Sequence, residues 1–125
     1  MKIYIAHTKS ADYLRLLYQP LKDSELAQRH TLIFPHELWA TPFDSRAMFF
    51  GRGCDLVIAE VSYRSTSLGI ELGWANALGM PIICVHLLRT LSSSSLGAIS
   101  KDIIEYTWPE TLIEKLLPVV AKYER

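Results

Sequence analysis

A chain of 125 residues, half of them hydrophobic and 21% charged, has the size of one domain and enough apolar surface for a core, which excludes a disordered polypeptide. Lys plus Arg equal Asp plus Glu at 13 each, so no net charge calls for a nucleic-acid polymer or a membrane surface as partner. The opening MKIYIAHTKS holds too short an apolar run for a signal peptide, and no window approaches a membrane span. Cys54 and Cys84 sit in apolar stretches, as buried thiols of a reducing compartment do. The expectation is one cytoplasmic, soluble domain over residues 1–125.

In chain order, Lys2–Ala6 alternates and is β-rich, a first strand. Tyr13, Leu14, Leu16, Leu17 and Leu21 follow at helical spacing, with Pro20 set to break or kink the helix. Thr31–Phe34 is a short apolar run ended by Pro35, a second strand. In TPFDSRAMFF, Asp44 or Ser45 caps a short helix. Asp55–Val61 is nearly continuous and β-branched, the pattern of a strand buried on both faces. Residues 65–79 read as a helix, Pro81–Val85 as another buried strand, Thr90–Ser95 as a Ser-rich loop and Ile103–Thr107 as a last strand. Pro109 suits the first turn of a terminal helix running to Tyr123.

Strands alternating with helices predict a parallel sheet covered on both faces, a doubly wound, flavodoxin-like α/β sandwich of three layers with five strands in the order 2-1-3-4-5. Ligands of such folds bind beyond the carboxyl ends of the strands where the strand order reverses. Here that crevice lies between the ends at Ala6 and Val61. His7, Thr8, Lys9 and Ser10 of one loop and SYRSTSLG of the other would line it.

Between Arg64 and Arg89, Glu71 is the only Asp, Glu, Lys or Arg. Positions 68, 72, 75 and 78 form one apolar stripe of its helix and 70, 74 and 77 a second, so little solvated surface is left for a carboxylate. A capping box would need Ser or Thr three residues earlier, where Leu68 stands, and a cap at Ser67 would leave Glu71 one residue late. Gly69 and Gly73 flank it; each costs a helix roughly 1 kcal/mol against alanine, which suggests close approach by the sheet or by a ligand. In the first turn the helix dipole would favour the anion. An ionised carboxylate at a crevice with small neighbours fits a nucleophile.

The segment DLVIAEVSYRSTSLGIELGWANALGMPIICV resembles the signature of the nucleoside 2-deoxyribosyltransferase-like superfamily, and within it the 2'-deoxynucleoside 5'-phosphate N-hydrolase branch. The likeness is ungapped from Asp55 to about Ser95 and traceable from Ile3 to His36. It implies a five-stranded doubly wound sheet and cleavage or exchange of the bond between deoxyribose and a base. By this resemblance Glu71 falls on the nucleophilic glutamate, following the logic of retaining glycosidases. Ser65 falls on a serine that contacts the nucleotide phosphate, and Ser95 on one that reaches the partner subunit's pocket. Tyr4 matches a tyrosine near the sugar and His36 an active-site histidine. The implied assembly is a homodimer or a larger oligomer built from dimers, and the implied ligand a small nucleoside or nucleotide.

The chain departs from that pattern in three places. The second acidic residue of the family aligns with Ala47, and Asp44, one helical turn earlier, is the carboxylate nearest to it. His7 stands where the hydrolase branch has glycine, and Ser10 where it has a phosphate-binding arginine; Lys9 is the cation at hand. The transferases bring in an asparagine near the C-terminus, whereas the only asparagine here is Asn76, which favours hydrolysis over transfer. The substitution at Ala47 also keeps open a binding module without catalysis. His7, His30, His36 and His86 show no metal-ligand spacing, so no metal or other cofactor is expected. Glu60 at a strand end, Tyr63 and Arg64 before Ser65, and Trp39, Trp74 and Trp108 as core or interface residues complete the reading.

Overall fold

The structure is a computed structural model that describes residues 1–9, 12–37, 43–90 and 94–124. Five strands, β1 (Lys2–Ala6), β2 (Thr31–Ile33), β3 (Leu56–Glu60), β4 (Ile82–Leu87) and β5 (Asp102–Tyr106), pair in parallel in the order β2-β1-β3-β4-β5. This is the expected order. Strand margins differ from the sequence pattern where hydrogen bonds decide. Asp55 stays outside β3, its carboxylate accepting the Lys2 N–H at 2.8 Å. β4 continues through His86 and Leu87 because both keep partners on β5, Glu105 and Tyr106.

Each strand puts alternate side chains on opposite faces, and both faces are covered. Ile3, Ile5, Leu56, Ile58, Ile83 and Val85 pack against Leu17, Tyr18, Leu21 and Leu26 of the first helices and Leu112, Leu116 and Val120 of the last. Tyr4, Ala6, Val57, Ala59, Ile82 and Cys84 pack against Phe49, Leu68, Leu72 and Ala75. The unbroken apolar runs in β3 and β4 follow from this two-sided burial.

The helices are α1 (Gln19–Lys22), α2 (Glu25–Arg29), α3 (Ser45–Phe50), α4 (Thr66–Ala77) and α5 (Pro109–Ala121). A π-helical turn, Leu14–Tyr18, precedes α1, with the Gln19 N–H donating to the Leu14 carbonyl five residues back. Pro20 has no N–H for the Leu16 carbonyl, and the ladder widens just before it. Ser24 then accepts the Leu26 N–H at 3.2 Å and starts α2, a helix that the apolar spacing does not predict. Ser65 caps α4, and Gly79, at φ +72°, follows its last turn in a conformation open to glycine. Of the Ser-rich segment, residues 91–93 lie outside the described residues, and Ser94–Ala98 forms a 3-10 turn. No helix among the described residues is long and apolar enough to cross a membrane.

Candidate functional site

A cavity of about 490 Å³ opens beside the ends of β1 and β2 and against α4. Tyr4 of β1 and His7, Thr8 and Lys9 of the loop after it form one side, and Pro35 and His36 come from the loop after β2. Phe43 and Ser45 enter from the start of α3, and Ser67, Ile70, Glu71 and Trp74 from α4. Six residues singled out in the sequence therefore meet at one place: Tyr4, His7, Thr8, Lys9, His36 and Glu71.

Glu71 is 8% exposed, on the buried stripe of α4 beside Leu68, Leu72 and Ala75. The Tyr4 hydroxyl donates to its Oε2. Burial pushes the Glu71 carboxyl above its ordinary value, while the hydroxyls of Tyr4 and Ser45 pull it back. Tyr4 is itself held protonated, first by burial and then by the adjacent Glu71 charge. A buried carboxylate with hydroxyl donors beside it and an open cavity before it has the chemistry of a nucleophile or an ion-pairing site.

Two expectations about α4 are corrected. With Ser65 as cap, Glu71 stands in the second turn, so hydroxyl donors rather than the helix end favour its anion. A Cβ built on Gly69 or Gly73 would meet nothing within 4 Å, so no strand of this chain approaches them; both are exposed. The second apolar stripe is also largely uncovered: Ile70 is 49% exposed and Ala77 is exposed, while Trp74 is half-buried against Phe49 and Phe50.

The remaining residues fall elsewhere. Ser65, Gly69 and Ser95 line a separate cleft of about 500 Å³ with Tyr63, Arg64, Leu68, Leu72 and Leu96, and it shares no lining residue with the Glu71 cavity. Ser65 Oγ accepts the Leu68 N–H at 3.3 Å and lies 3.1 Å from Ser67 Oγ. Asp44 is exposed and caps α3, its Oδ1 accepting the Ala47 N–H at 3.0 Å, and it is not among the cavity-lining residues. Ser10 and Trp39 lie outside the described residues. Trp108 is 67% exposed at the start of α5.

His7 is buried and pushed down to about 4 by that burial. His36 is half-buried and also lowered, by burial and by Lys9. Its ring nitrogens make no hydrogen bond among the described residues, and its backbone N–H donates to the Tyr18 hydroxyl at 3.1 Å. The sequence did not assign Phe43, Ser45 or Trp74 to the site, and of the segment SYRSTSLG only Ser67 lines this cavity. Trp74, one helical turn after Glu71, carried the one available signal, because i and i+3 share a helix face. Among the described residues no three His, Cys, Asp or Glu side chains cluster as a metal ion would require.

The chain matches no family model and no curated protein. Among solved structures it is similar to BcmB of Clostridium botulinum, a CMP N-glycosidase, with a TM-score of 0.61 and 22% identity over 93% of this chain and 98% of that one. It is also similar to a conserved protein of Enterococcus faecalis, at a TM-score of 0.57 and 16% identity over 95% of this chain and 98% of that one. A Burkholderia pseudomallei protein described as related to pilus assembly aligns over 100% of this chain and 92% of its own, at a TM-score of 0.60 and 16% identity. The likeness is one of fold.

Proposed function

We propose that this chain hydrolyses the N-glycosidic bond of 2'-deoxynucleoside 5'-monophosphates or related nucleosides, with Glu71 as nucleophile. The observation that carries the reading is the buried Glu71 carboxylate, held by Tyr4 at the wall of a cavity large enough for a nucleotide. BcmB, an N-glycosidase of the same fold, supports it.

In this reading a Glu71 oxygen bonds to the anomeric carbon as the carbon–nitrogen bond breaks, its electron pair leaving with the base. Water then bonds to that carbon, gives a proton to the group that protonated the base, and releases the carboxylate. Tyr4 orients the carboxylate and keeps its own proton. Phe43, Ile70 and Trp74 offer the apolar surface that suits a base. Lys9, exposed at the cavity and without an ion pair among the described residues, suits a phosphate. The departing base needs a proton. Asp44 is the carboxylate proposed for that step, and His36, whose ring nitrogens at the cavity make no hydrogen bond among the described residues, is the competing donor. Ser65 and Ser95 line the other cleft, so a phosphate contact from Ser95 would come from a second copy in a homodimer.

Incubation with a panel of nucleosides and 5'-monophosphates, followed by chromatography, tests the reading. The expected products are free base and free sugar without added acceptor. A new nucleoside formed only when a second base is added would replace hydrolysis by transfer. Binding without turnover would make the domain a sensor.

A further inference from the structure

The Tyr18 hydroxyl is 1% exposed as a residue and bonds to both loops that build one side of the cavity. From the loop after β2 it receives the His36 N–H at 3.1 Å; on the loop after β1 it lies 2.5 Å from His7 Nε2. The other His7 nitrogen, Nδ1, is 2.9 Å from the Thr8 carbonyl. Donor accounting fixes the proton positions. A backbone N–H only donates, so His36 occupies a lone pair of the Tyr18 oxygen. A carbonyl only accepts, so His7 Nδ1 carries a hydrogen. The Tyr18 proton then goes to Nε2, and the chain of bonds runs in one direction from His36 through Tyr18 and His7 to Thr8. If His7 gained a second proton, Nε2 would become a donor to Tyr18, and the phenol hydrogen would have no acceptor among the described residues.

The geometry points to Tyr18 as a positioning residue that ties the β1 and β2 loops together and holds the neutral His7 ring as its Nδ1–H tautomer in the wall of the cavity. The rings around it support a fixed joint: His7 lies 4.6 Å from Tyr13 at 33°, and Tyr18 lies 4.6 Å from Phe34. Charged neighbours do not supply an alternative partner. Asp12 and Glu60 share a small cavity of about 40 Å³ with His7, but Asp12 pairs with Arg15 and Glu60 with Tyr106 and the Ser62 N–H. Lys9 and His36, the basic groups nearest to it, both oppose its protonation. Both ring nitrogens of His7 are thus committed within the protein. His7 shapes the cavity and takes no part in proton transfer, although it stands at the loop where a nucleotide phosphate is proposed to bind.

The inference rests on the proposed reaction for its kinetic consequence and on structure alone for its spectroscopic one, so the two can fail separately. Tyr18→Phe keeps the ring packing and removes the hydroxyl. In long-range proton–nitrogen NMR spectra of the unmodified protein, His7 is expected to remain the neutral Nδ1–H form from pH 5 to pH 8, consistent with a pKa near 4. In Tyr18→Phe, tautomer exchange is expected, while the ring, still buried, stays neutral over that range. With 2'-deoxycytidine 5'-monophosphate or CMP as probe, KM should rise about five- to tenfold while kcat stays within about twofold, the loss of one positioning hydrogen bond. A His7 signature unchanged in Tyr18→Phe overturns the proposal even if no nucleotide is cleaved. So does a loss confined to kcat, which would put Tyr18 or His7 in proton transfer.

Discussion

Among the described residues two glutamates are paired with tyrosines, and they differ in what lies beyond the carboxylate. Glu60, at the end of β3, receives the Tyr106 hydroxyl on one oxygen and the Ser62 N–H on the other at 2.6 Å. It borders a small cavity of about 40 Å³. Glu71, on α4, is paired with Tyr4 through one oxygen and fronts about 490 Å³ of open space. Both tyrosines are pushed well above the ordinary phenol range, first by burial and then by the carboxylate each one serves. The same two side chains therefore make a tie in one place and a carboxylate at a cavity wall in the other. What separates them is the backbone donor at Glu60, which uses the second oxygen to fix the loop after β3.

The contrast breaks most sharply by removing each carboxylate in turn. Glu71→Gln should lower turnover by at least about a thousandfold, as loss of a nucleophile does, with the fold retained because an uncharged amide replaces a charge in an apolar setting. Glu60→Gln should keep turnover within a few-fold and instead cost about 1–3 kcal/mol in denaturant unfolding, through disturbed hydrogen bonds to Ser62 and Tyr106. Turnover that survives Glu71→Gln, or that vanishes with Glu60→Gln at undiminished stability, would invert the assignment.

A second substitution sharpens the comparison by asking which proton donor serves the Glu71 cavity. Asp44→Asn should depress cleavage of natural nucleotides by roughly a hundredfold and of an activated leaving group far less, if Asp44 protonates the base. Its carboxylate caps α3, so an equal loss on both substrates would reduce it to that cap and leave the proton to His36. Asn is itself a good cap, which keeps the helix start intact in the variant.

Much of this was legible in the sequence, for physical reasons that also set the limit. β3 and β4 are buried on both faces, so their apolar runs are continuous and announce a parallel sheet. Glu71 was legible because a buried charge is expensive and stands out in an uncharged stretch. Its partner was not legible as a contact, since Tyr4 lies 67 residues away and is brought near only by folding. The turn on which Glu71 stands was misread by the same locality: Ser65 and Ser67 are both fit caps, and with Ser65 as the cap Glu71 lies beyond the first turn. The glycines beside it face open space rather than the sheet, a matter of which side of α4 turns outward. Tyr18 gave no signal at all, because its role depends on two loops meeting around its hydroxyl.

The smallest effect concerns Tyr4, the tyrosine paired with Glu71. Tyr4 donates to the Glu71 carboxylate and so favours its anion against burial, which raises the carboxyl. In the proposed reaction Glu71 must be ionised, so the acid limb of kcat/KM reports its titration in the free protein. Tyr4→Phe removes the donor and leaves burial unopposed except by Ser45. Glu71 should then titrate higher, and a hydrogen bond to a charged group is worth enough to move the limb up by about one pH unit. Activity falls roughly tenfold below that limb and recovers well above it. Stability follows the same sign. The folded carboxyl already titrates above the unfolded one, so its contribution is present below the unfolded value and is lost as pH rises through the folded value. Tyr4→Phe should push that loss to higher pH, measured as unfolding free energy against pH. A limb that stays in place, or moves down, would mean that Tyr4 does not hold the Glu71 anion, and the difference between the two glutamate–tyrosine pairs would then need another cause.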